Sequence, residues 1–269
     1  MSSRRLIRLA HFSVATFNVN SVRSRMPVLE RWLPDNPVDI LCLQETKVVD
    51  EDFPVQAFSD LGYAVAFRGQ KAYNGVALAS RREPDEVVYG FGDGLEPDDG
   101  PRLVRARFGD LVITNSYVPQ GKSIDHPDFE YKKDFLRRLA ALFDAERKRG
   151  GHLLWVGDLN VAPTEEDVTN PSNKKDHVCF HHSIRELYAE IVAGRFIDVF
   201  RRHRPDPGEY SFWDYRVKNA LERNIGWRID HVLASPELAE RSLDCYVDRE
   251  PRAWEKPSDH TVVVARFRE

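Results

Sequence analysis

Short apolar runs of strand length punctuate this chain from end to end, and they commit it to a fold built on sheets. Phe12–Phe17, Val38–Leu43, Tyr63–Phe67, Gly75–Ala79, Leu103–Phe108, Leu111–Tyr117, His152–Val156, Ile229–Ala234 and Val262–Phe267 all read as strands, with turn-forming residues between them. Helical periodicity is clearest over Tyr131–Lys148, where Phe135, Leu136, Leu139, Leu142 and Phe143 fall on one stripe. Two more helices are expected near Arg23–Leu33 and Ser183–Ala193. Strands dominate with helices interspersed, which favours an α/β protein around two packed sheets. Arg82–Pro101 and Ala162–Asp176 read as loops, and neither separates two self-sufficient strand sets. The expected organisation is a short leader over residues 1–10 and a single domain over 11–269.

The opening MSSRRLIRLAHFSVATF lacks a continuous apolar stretch and a small-residue cleavage site, which argues against a signal peptide. No run approaches the roughly 18 to 20 apolar residues of a membrane span. Three cysteines, Cys42, Cys179 and Cys245, are few and far apart, a pattern that suits a reducing compartment and so the cytoplasm. Cys42, inside the apolar run VDILCL, reads as packing. The formal charge of −4 does not advertise a nucleic-acid partner, although net charge says little about a local groove.

The informative residues are those on which the strands end. Asn18 and Asn20 follow the first run, Gln44 and Glu45 the second, and Asp158 and Asn160 follow HLLWVG. Asp230 opens IDHVLA, and Asp259–His260 precede TVVVARF. Any one of these could cap a turn. Together they place carboxylates, amides and imidazole where ligands of α/β sheets gather, and turn chemistry explains neither Glu45 nor His260. Breaking a phosphodiester calls for a hard cation held by oxygen ligands, an aimed water, and a cationic or phenolic donor for the phosphoryl oxygens. Glu45, Asp158, Asp230, Asn18, Asn160, Tyr117 and His260 supply those parts.

The segments ATFNVNSVRSR, LCLQETK, NGVAL, NSYVPQG, WVGDLNVAP, YSFWDYR, GWRIDHVLAS and EKPSDH, in this order from about residue 12 to 268, resemble the exonuclease III family of abasic-site endonucleases. That family lies within the endonuclease/exonuclease/phosphatase superfamily. The resemblance implies a four-layer α/β sandwich, two packed mixed sheets flanked by helices, with the site at one edge. It implies Mg²⁺ as cofactor, with Mn²⁺ substituting. By resemblance Glu45 is the principal metal ligand, with Asn20 and Asp259 supporting it, and Asp158, Asn160 and His260 also border the metal. Asp158 orients or deprotonates the attacking water and Asn18 holds Asp158. Asn160 contacts phosphate and water, Tyr117 lies beside the scissile phosphate, and Asp230 holds His260 against a phosphoryl oxygen.

The superfamily also hydrolyses lipid and inositol phosphates, so the catalytic kit alone does not name the substrate. Gln120 and Gly121 of NSYVPQG, and Gly69–Gln70–Lys71 leading into Tyr73–Asn74–Gly75, resemble DNA-backbone loops of the exonuclease III branch. Phe212, Trp227 and Ile229 resemble an apolar pocket for an extrahelical base-less sugar, which has little stacking to lose. Trp213 reads as core. Arg68, Lys71, Lys122, Lys174, Lys175 and Arg216 serve equally well as phosphate contacts or as a solvated face, while Arg201–Arg204 falls outside the site. NPSNKKDHVCFHH lacks the spacing of a zinc site. By resemblance it borders the DNA groove, where a bulky His177 or His181 would narrow the pocket and favour 3′-end trimming over abasic incision. The expected partner is double-stranded DNA carrying abasic sites or 3′ ends. It would be met by a monomer near the nucleoid, with no membrane involved.

Overall fold

In the computed structural model, which describes residues 11–269, alternation along the strands sorts apolar side chains into three cores. The leader expected over residues 1–10 lies outside the described residues. On β1 (His11–Asn18) Val14 faces a core between the sheets while its neighbour Ala15 faces an outer one. On β2 (Ile40–Gln44) Ile40 and Cys42 join the inner core and Leu41 and Leu43 the outer. Every residue of β2 is buried. That two-sided burial is why it reads as a continuous apolar run and not as an alternating one.

One sheet, six-stranded among the described residues, runs in the order β11 (Ser242–Asp248), β12 (Val262–Arg268), β1, β2, β4 (Val76–Ser80), β3 (Ala64–Arg68). Its outer face is covered by α1 (Val22–Asp35) and α2 (Val55–Asp60) through Met26, Leu29, Trp32, Leu33 and Phe58. The second sheet, also six-stranded, runs β5 (Glu86–Tyr89), β6 (Leu103–Phe108), β7 (Leu111–Tyr117), β8 (His152–Asp158), β10 (Asp230–Ala234), β9 (Ile197–Asp198). Its outer face meets α3 (Pro127–Arg149) and α4 (His182–Val192). The short helices α5 (Val199–His203), α6 (Pro236–Ala239) and α7 (Glu250–Ala253) complete the chain. Helix, sheet, sheet, helix is the four-layer sandwich. No helix is long and apolar enough to cross a membrane.

Three strands were not expected. β5 lies inside the stretch read as a loop, and its four residues EVVY are too few to show a period. β9 has two residues. β11, SLDCYVD, breaks its alternation with charge, as an edge strand does to discourage further pairing.

Register decides where the polar ends meet. The parallel pair β1–β2 sets Asn18 beside Gln44, and the parallel pair β7–β8 sets Tyr117 beside Asp158. Antiparallel β10 puts Asp230 opposite Asp158, and antiparallel β4 opens with Val76 opposite Gln44. Ends of parallel strands and beginnings of antiparallel ones therefore converge on one edge of both sheets.

Candidate active site

Asn18 bridges the two sheets at that edge. Its side-chain amide Nδ2 donates one hydrogen to Glu45 Oε1 at 2.8 Å and the other to Asp158 Oδ2 at 2.9 Å. Its own Oδ1 accepts from the Asn20 amide at 3.0 Å, and Ser258 Oγ donates to its carbonyl at 2.7 Å. Asn18 is fully buried, so its orientation is set on every side.

Glu45 sits just past β2 in the left-handed region at φ 53°. A glutamate held there is strained, and such strain persists where surroundings fix it. Here they do. The turn's amides Thr46 N and Lys47 N donate to the carbonyls of Gly75 and Asn74 at 3.2 and 3.0 Å. Gly75 must lack a side chain, because a Cβ would lie 1.9 Å from Thr46 Oγ1. Lys47 Nζ lies 2.6 Å from Glu45 Oε2 and 2.5 Å from Asn20 Oδ1. Asn20 is fixed by donating Nδ2 to Asp259 Oδ1 at 3.0 Å, so its oxygen is the atom presented to the site.

The second sheet supplies Asp158 and Asp230, and the turn before β12 of the first sheet supplies His260. Asp158 Oδ1 accepts from the Asn160 amide at 3.0 Å. His260 donates Nδ1–H to Asp230 Oδ2 at 2.8 Å, and its Nε2 lies 3.7 Å from Asp158 Oδ2. Ser211 Oγ also donates to Asp230 Oδ2, at 2.6 Å, while Asp230 Oδ1 is buried with no partner. Glu45, Asp158 and His260 each bring a ligand atom within 4.8 Å of the others.

These groups perturb one another strongly. Burial, with Asp230 and Glu45 adding to it against the pull of His260, pushes the Asp158 carboxyl up to about 7. Burial would depress His260, but Asp230 and Asp158 override it and lift the imidazole to about 10. It is therefore an imidazolium at neutral pH. Burial would raise Glu45, yet the charge and hydrogen bond of Lys47 bring it below its ordinary value. The Tyr117 phenol is driven well up by burial and by the charges of Glu45 and Asp158, which keeps it a proton donor.

The oxygen donors fit a hard cation. Lys47 Nζ, cradled between Glu45 Oε2 and Asn20 Oδ1, shows that this corner accepts positive charge, and the unpartnered Asp230 Oδ1 adds to the anionic surplus.

The apolar candidates divide. Phe212 is half-buried with its ring 4.8 Å from that of His260, and it exchanges two backbone hydrogen bonds of 2.9 Å with Trp227. Trp227 is also half-buried, the His177 ring lying 4.4 Å from it. Ile229 is buried in the core shared with α3 and α4, so of these three only the aromatics present surface. Trp213 is fully buried. His181 caps α4 by accepting from Ser183 N, leaving His177 as the histidine whose ring lies against Trp227.

Gln120 is exposed, its Oε1 accepting from Lys122 N at 2.7 Å. Lys71 is exposed, as is Tyr73. Asn74 donates Nδ2 to Gln70 Oε1 at 2.6 Å. Arg216 is exposed and paired with Asp214 at 2.7 Å. A cleft of about 410 Å³, lined by Gln70, Asn74, Asp98, Arg102 and Tyr131, flanks this side. Arg102 joins it to the site, its guanidinium 4.9 Å from the Tyr117 ring. Sequence reasoning missed Lys47, Arg102, Ser211 and Ser258. Lys47 and Ser258 stand inside the quoted LCLQETK and EKPSDH, so their signal was proximity alone. Arg102 had none beyond preceding a strand.

The sequence profile of the Endonuclease/Exonuclease/phosphatase family matches residues 15–260. Exodeoxyribonuclease III of Haemophilus influenzae is 36% identical over 265 residues, which cover 94% of this chain and 98% of that protein. An AP endonuclease from Archaeoglobus fulgidus superposes with a TM-score of 0.91 at 48% identity, over 95% of this chain and 99% of its own. A 3′ phosphatase from Neisseria, solved with a product DNA hairpin, superposes with a TM-score of 0.91 at 35% identity, over 96% of this chain and all 100% of that one.

Proposed function

The chain belongs to the endonuclease/exonuclease/phosphatase family, in its exonuclease III branch of DNA-repair nucleases, and from that premise we propose that it hydrolyses the DNA backbone at abasic sites and trims 3′ ends. The observation that carries this reading is the Asn18 amide dividing its two hydrogens between Glu45 and Asp158, which fixes two carboxylates with different tasks at one edge. The AP endonuclease and 3′ phosphatase likenesses support both substrates.

Asp158 takes the proton of the attacking water. Its carboxyl, lifted toward neutrality, makes a competent base at physiological pH, and the bonds from Asn18 and the Asn160 amide aim it. His260, kept cationic and oriented by Asp230, faces the phosphoryl oxygens as negative charge builds on them. Tyr117 donates its phenolic hydrogen on the other side, and Asn160 contacts phosphate. Glu45 and Asn20, the latter steered by Asp259, would hold a divalent cation, bordered by Asp158, Asn160 and His260. Magnesium, or manganese in its place, supplies charge neutralisation of the phosphate when bound.

Phe212 and Trp227, backed by Ile229, form the wall that admits a base-less sugar. Gln120, Lys71, Tyr73, Asn74 and Arg216 offer contacts to the DNA backbone. All these residues come from one chain, so the chemistry calls for no second copy and we read the enzyme as a monomer. Its DNA substrate and its three buried free thiols fit a cytoplasmic, nucleoid-directed role.

The test is metal dependence. Nuclease activity is expected to vanish in excess chelator and return with magnesium or manganese. Glu45→Ala should raise the metal concentration required by on the order of tenfold or more. Full activity in chelator, with Glu45→Ala indistinguishable from wild type, would remove the metal-assisted reading.

A further inference from the structure

We propose that Lys132 is a positioning residue that couples the loops facing DNA to the geometry of Asp158, a role that rests on the hydrolytic parts given above to Asp158 and Asn160. Lys132 lies on α3 and is fully buried. Its Nζ donates to Asn160 O at 2.7 Å, Val178 O at 2.8 Å and Gln120 O at 3.2 Å. An ammonium has three N–H donors, and here each goes to a different carbonyl, one between β7 and α3 and two on the long connection from β8 to α4. No carboxylate pairs with it among the described residues. A buried charge satisfied by dipoles alone is costly, and an apolar side chain of similar length would fill the same space. Packing therefore does not account for a lysine at this position.

Each of the three carbonyls belongs to a segment with a task. Asn160 is left-handed at φ 50°, and its amide is the group that donates to Asp158 Oδ1. Holding its carbonyl fixes the peptide that follows and so keeps this turn closed on Asp158. Val178 follows His177, whose ring lies against Trp227. Gln120 precedes Gly121, where an added Cβ would sit 3.4 Å from Lys132 Cδ, so the glycine leaves room for the stem. One nitrogen thus ties the base-less sugar pocket and the Gln120 loop to the carboxylate that activates water. A shift of either loop when DNA seats is transmitted to Asn160 because both hang on the same group. Arginine would not substitute, since its planar fork cannot point three donors at carbonyls arranged about a point.

The test compares Lys132→Met, which keeps the stem and removes the donors, with Asp158→Asn and the Lys132→Met/Asp158→Asn double variant, all in saturating magnesium on an abasic duplex. Lys132→Met is expected to lower kcat at least tenfold. The double variant should be within about threefold of Asp158→Asn, because the lysine acts by holding that carboxylate in place through the Asn160 backbone. A lysine needed only for folding would instead lower the unfolding midpoint and leave kcat per folded molecule unchanged. A cooperatively folded Lys132→Met with kcat within threefold of wild type, or losses that multiply in the double variant, would overturn the proposal. Should Lys132→Met not fold, Lys132→Gln, which keeps two donors, takes its place in the same cycle with the same criteria. Asp158→Asn retaining more than a tenth of wild-type turnover would sink the hydrolytic reading itself. A strict need for Asp158 beside a neutral Lys132→Met would sink only the positioning role.

Discussion

Two buried charge clusters lie within a few residues of each other on one stretch of chain, Trp227–His231, and they are built on opposite plans. Around Arg228, charge is balanced. Its Nε donates to Asp167 Oδ1 at 2.7 Å, its Nη2 to Asp198 Oδ2 at 2.8 Å and its Nη1 to His231 Nδ1 at 3.1 Å. Arg201 also pairs with Asp167, and Thr164 donates to the other Asp167 oxygen through its amide and hydroxyl. Two carboxylates meet two guanidiniums. Around Asp158 the balance fails: among the described residues Glu45, Asp158, Asp230 and Asp259 outnumber the cations paired with them, His260 and Lys47, and Asp230 Oδ1 has no partner. A balanced cluster holds the fold, whereas a surplus of buried anion is tolerated where it does chemistry.

Exchanging a carboxylate for its amide in each cluster tests this contrast most severely. Asp158→Asn should cut the rate by on the order of 10²–10⁴, since it removes the proposed base while keeping the shape. In chelator its denaturant midpoint should hold or rise, because a repelled buried anion is gone. Asp167→Asn should do the reverse. Leaving Arg228 and Arg201 short of an anion should cost about 3 kcal/mol of stability, with kcat per folded molecule within tenfold of wild type. Urea unfolding and single-turnover cleavage on the same samples decide it. Two variants that lose stability and rate in parallel would erase the distinction.

Stability against pH sharpens the comparison, because the clusters should respond in opposite directions. Arg228 can only donate, so His231 Nδ1 must accept and its Nε2–H donates to Val161 O at 2.8 Å. Burial and the Arg228 charge accordingly hold His231 down to about 4. The folded chain refuses a proton that the unfolded chain takes up below its ordinary 6.5, so this cluster loses stability as pH falls from about 6.5 to 4, by about 3 kcal/mol. Asp158, raised to about 7, works the other way: stability is lost as pH climbs from its ordinary 3.8 to about 7. His260, raised to about 10, adds stability below 6.5 that disappears as pH rises through 10. His231→Asn keeps an acceptor and a donor without a titration. Its metal-free urea midpoint should fall less than that of wild type between pH 6.5 and 4.5. Equal slopes in the two proteins would show that His231 does not carry the acid sensitivity.

The two clusters also differed in how far the sequence disclosed them. Glu45, Asp158, Asp230 and His260 were visible because each interrupts an apolar run at a strand end, and register alone then brought them together. Nine strands were legible for the same reason, since runs such as ILCLQ are buried on both faces. The Arg228 cluster was not legible. Asp167 lies in a polar stretch that reads as loop, and Asp198 on a two-residue strand. Arg201 belongs to a basic run that looks solvated. Their partnership depends on segments distant in sequence meeting beneath a sheet, and no local period encodes that. Lys132 was hidden differently: it sits within a helix rich in Lys and Arg, and only the three carbonyls around Nζ set it apart.

The smallest effect is expected where the clusters share residues. Trp227 belongs to the proposed pocket wall, Arg228 to the balanced cluster and Asp230 to the unbalanced one, so neighbouring residues at one strand end would serve three purposes. Phe212, the other member of the proposed wall, pairs with Trp227 through backbone hydrogen bonds and rests its ring against His260. A wall that selects by exclusion owes its discrimination to what it refuses, so its loss should relax selectivity more than it slows hydrolysis. Phe212→Ala combined with Trp227→Ala should lower the ratio of kcat/KM on an abasic duplex to that on the matched undamaged duplex by on the order of tenfold. Turnover at the abasic site should fall less than that. The ring of His177 already occupies one side of Trp227, so on the same reading His177→Gly should open that side and shift activity from 3′-end trimming toward abasic incision. An unchanged ratio in a folded double variant would assign both aromatics to core packing and separate damage recognition from this strand end. A fall in turnover matching that of Asp158→Asn would mean that Phe212 acts mainly by holding His260, and the wall would then belong to the catalytic cluster and not to the pocket.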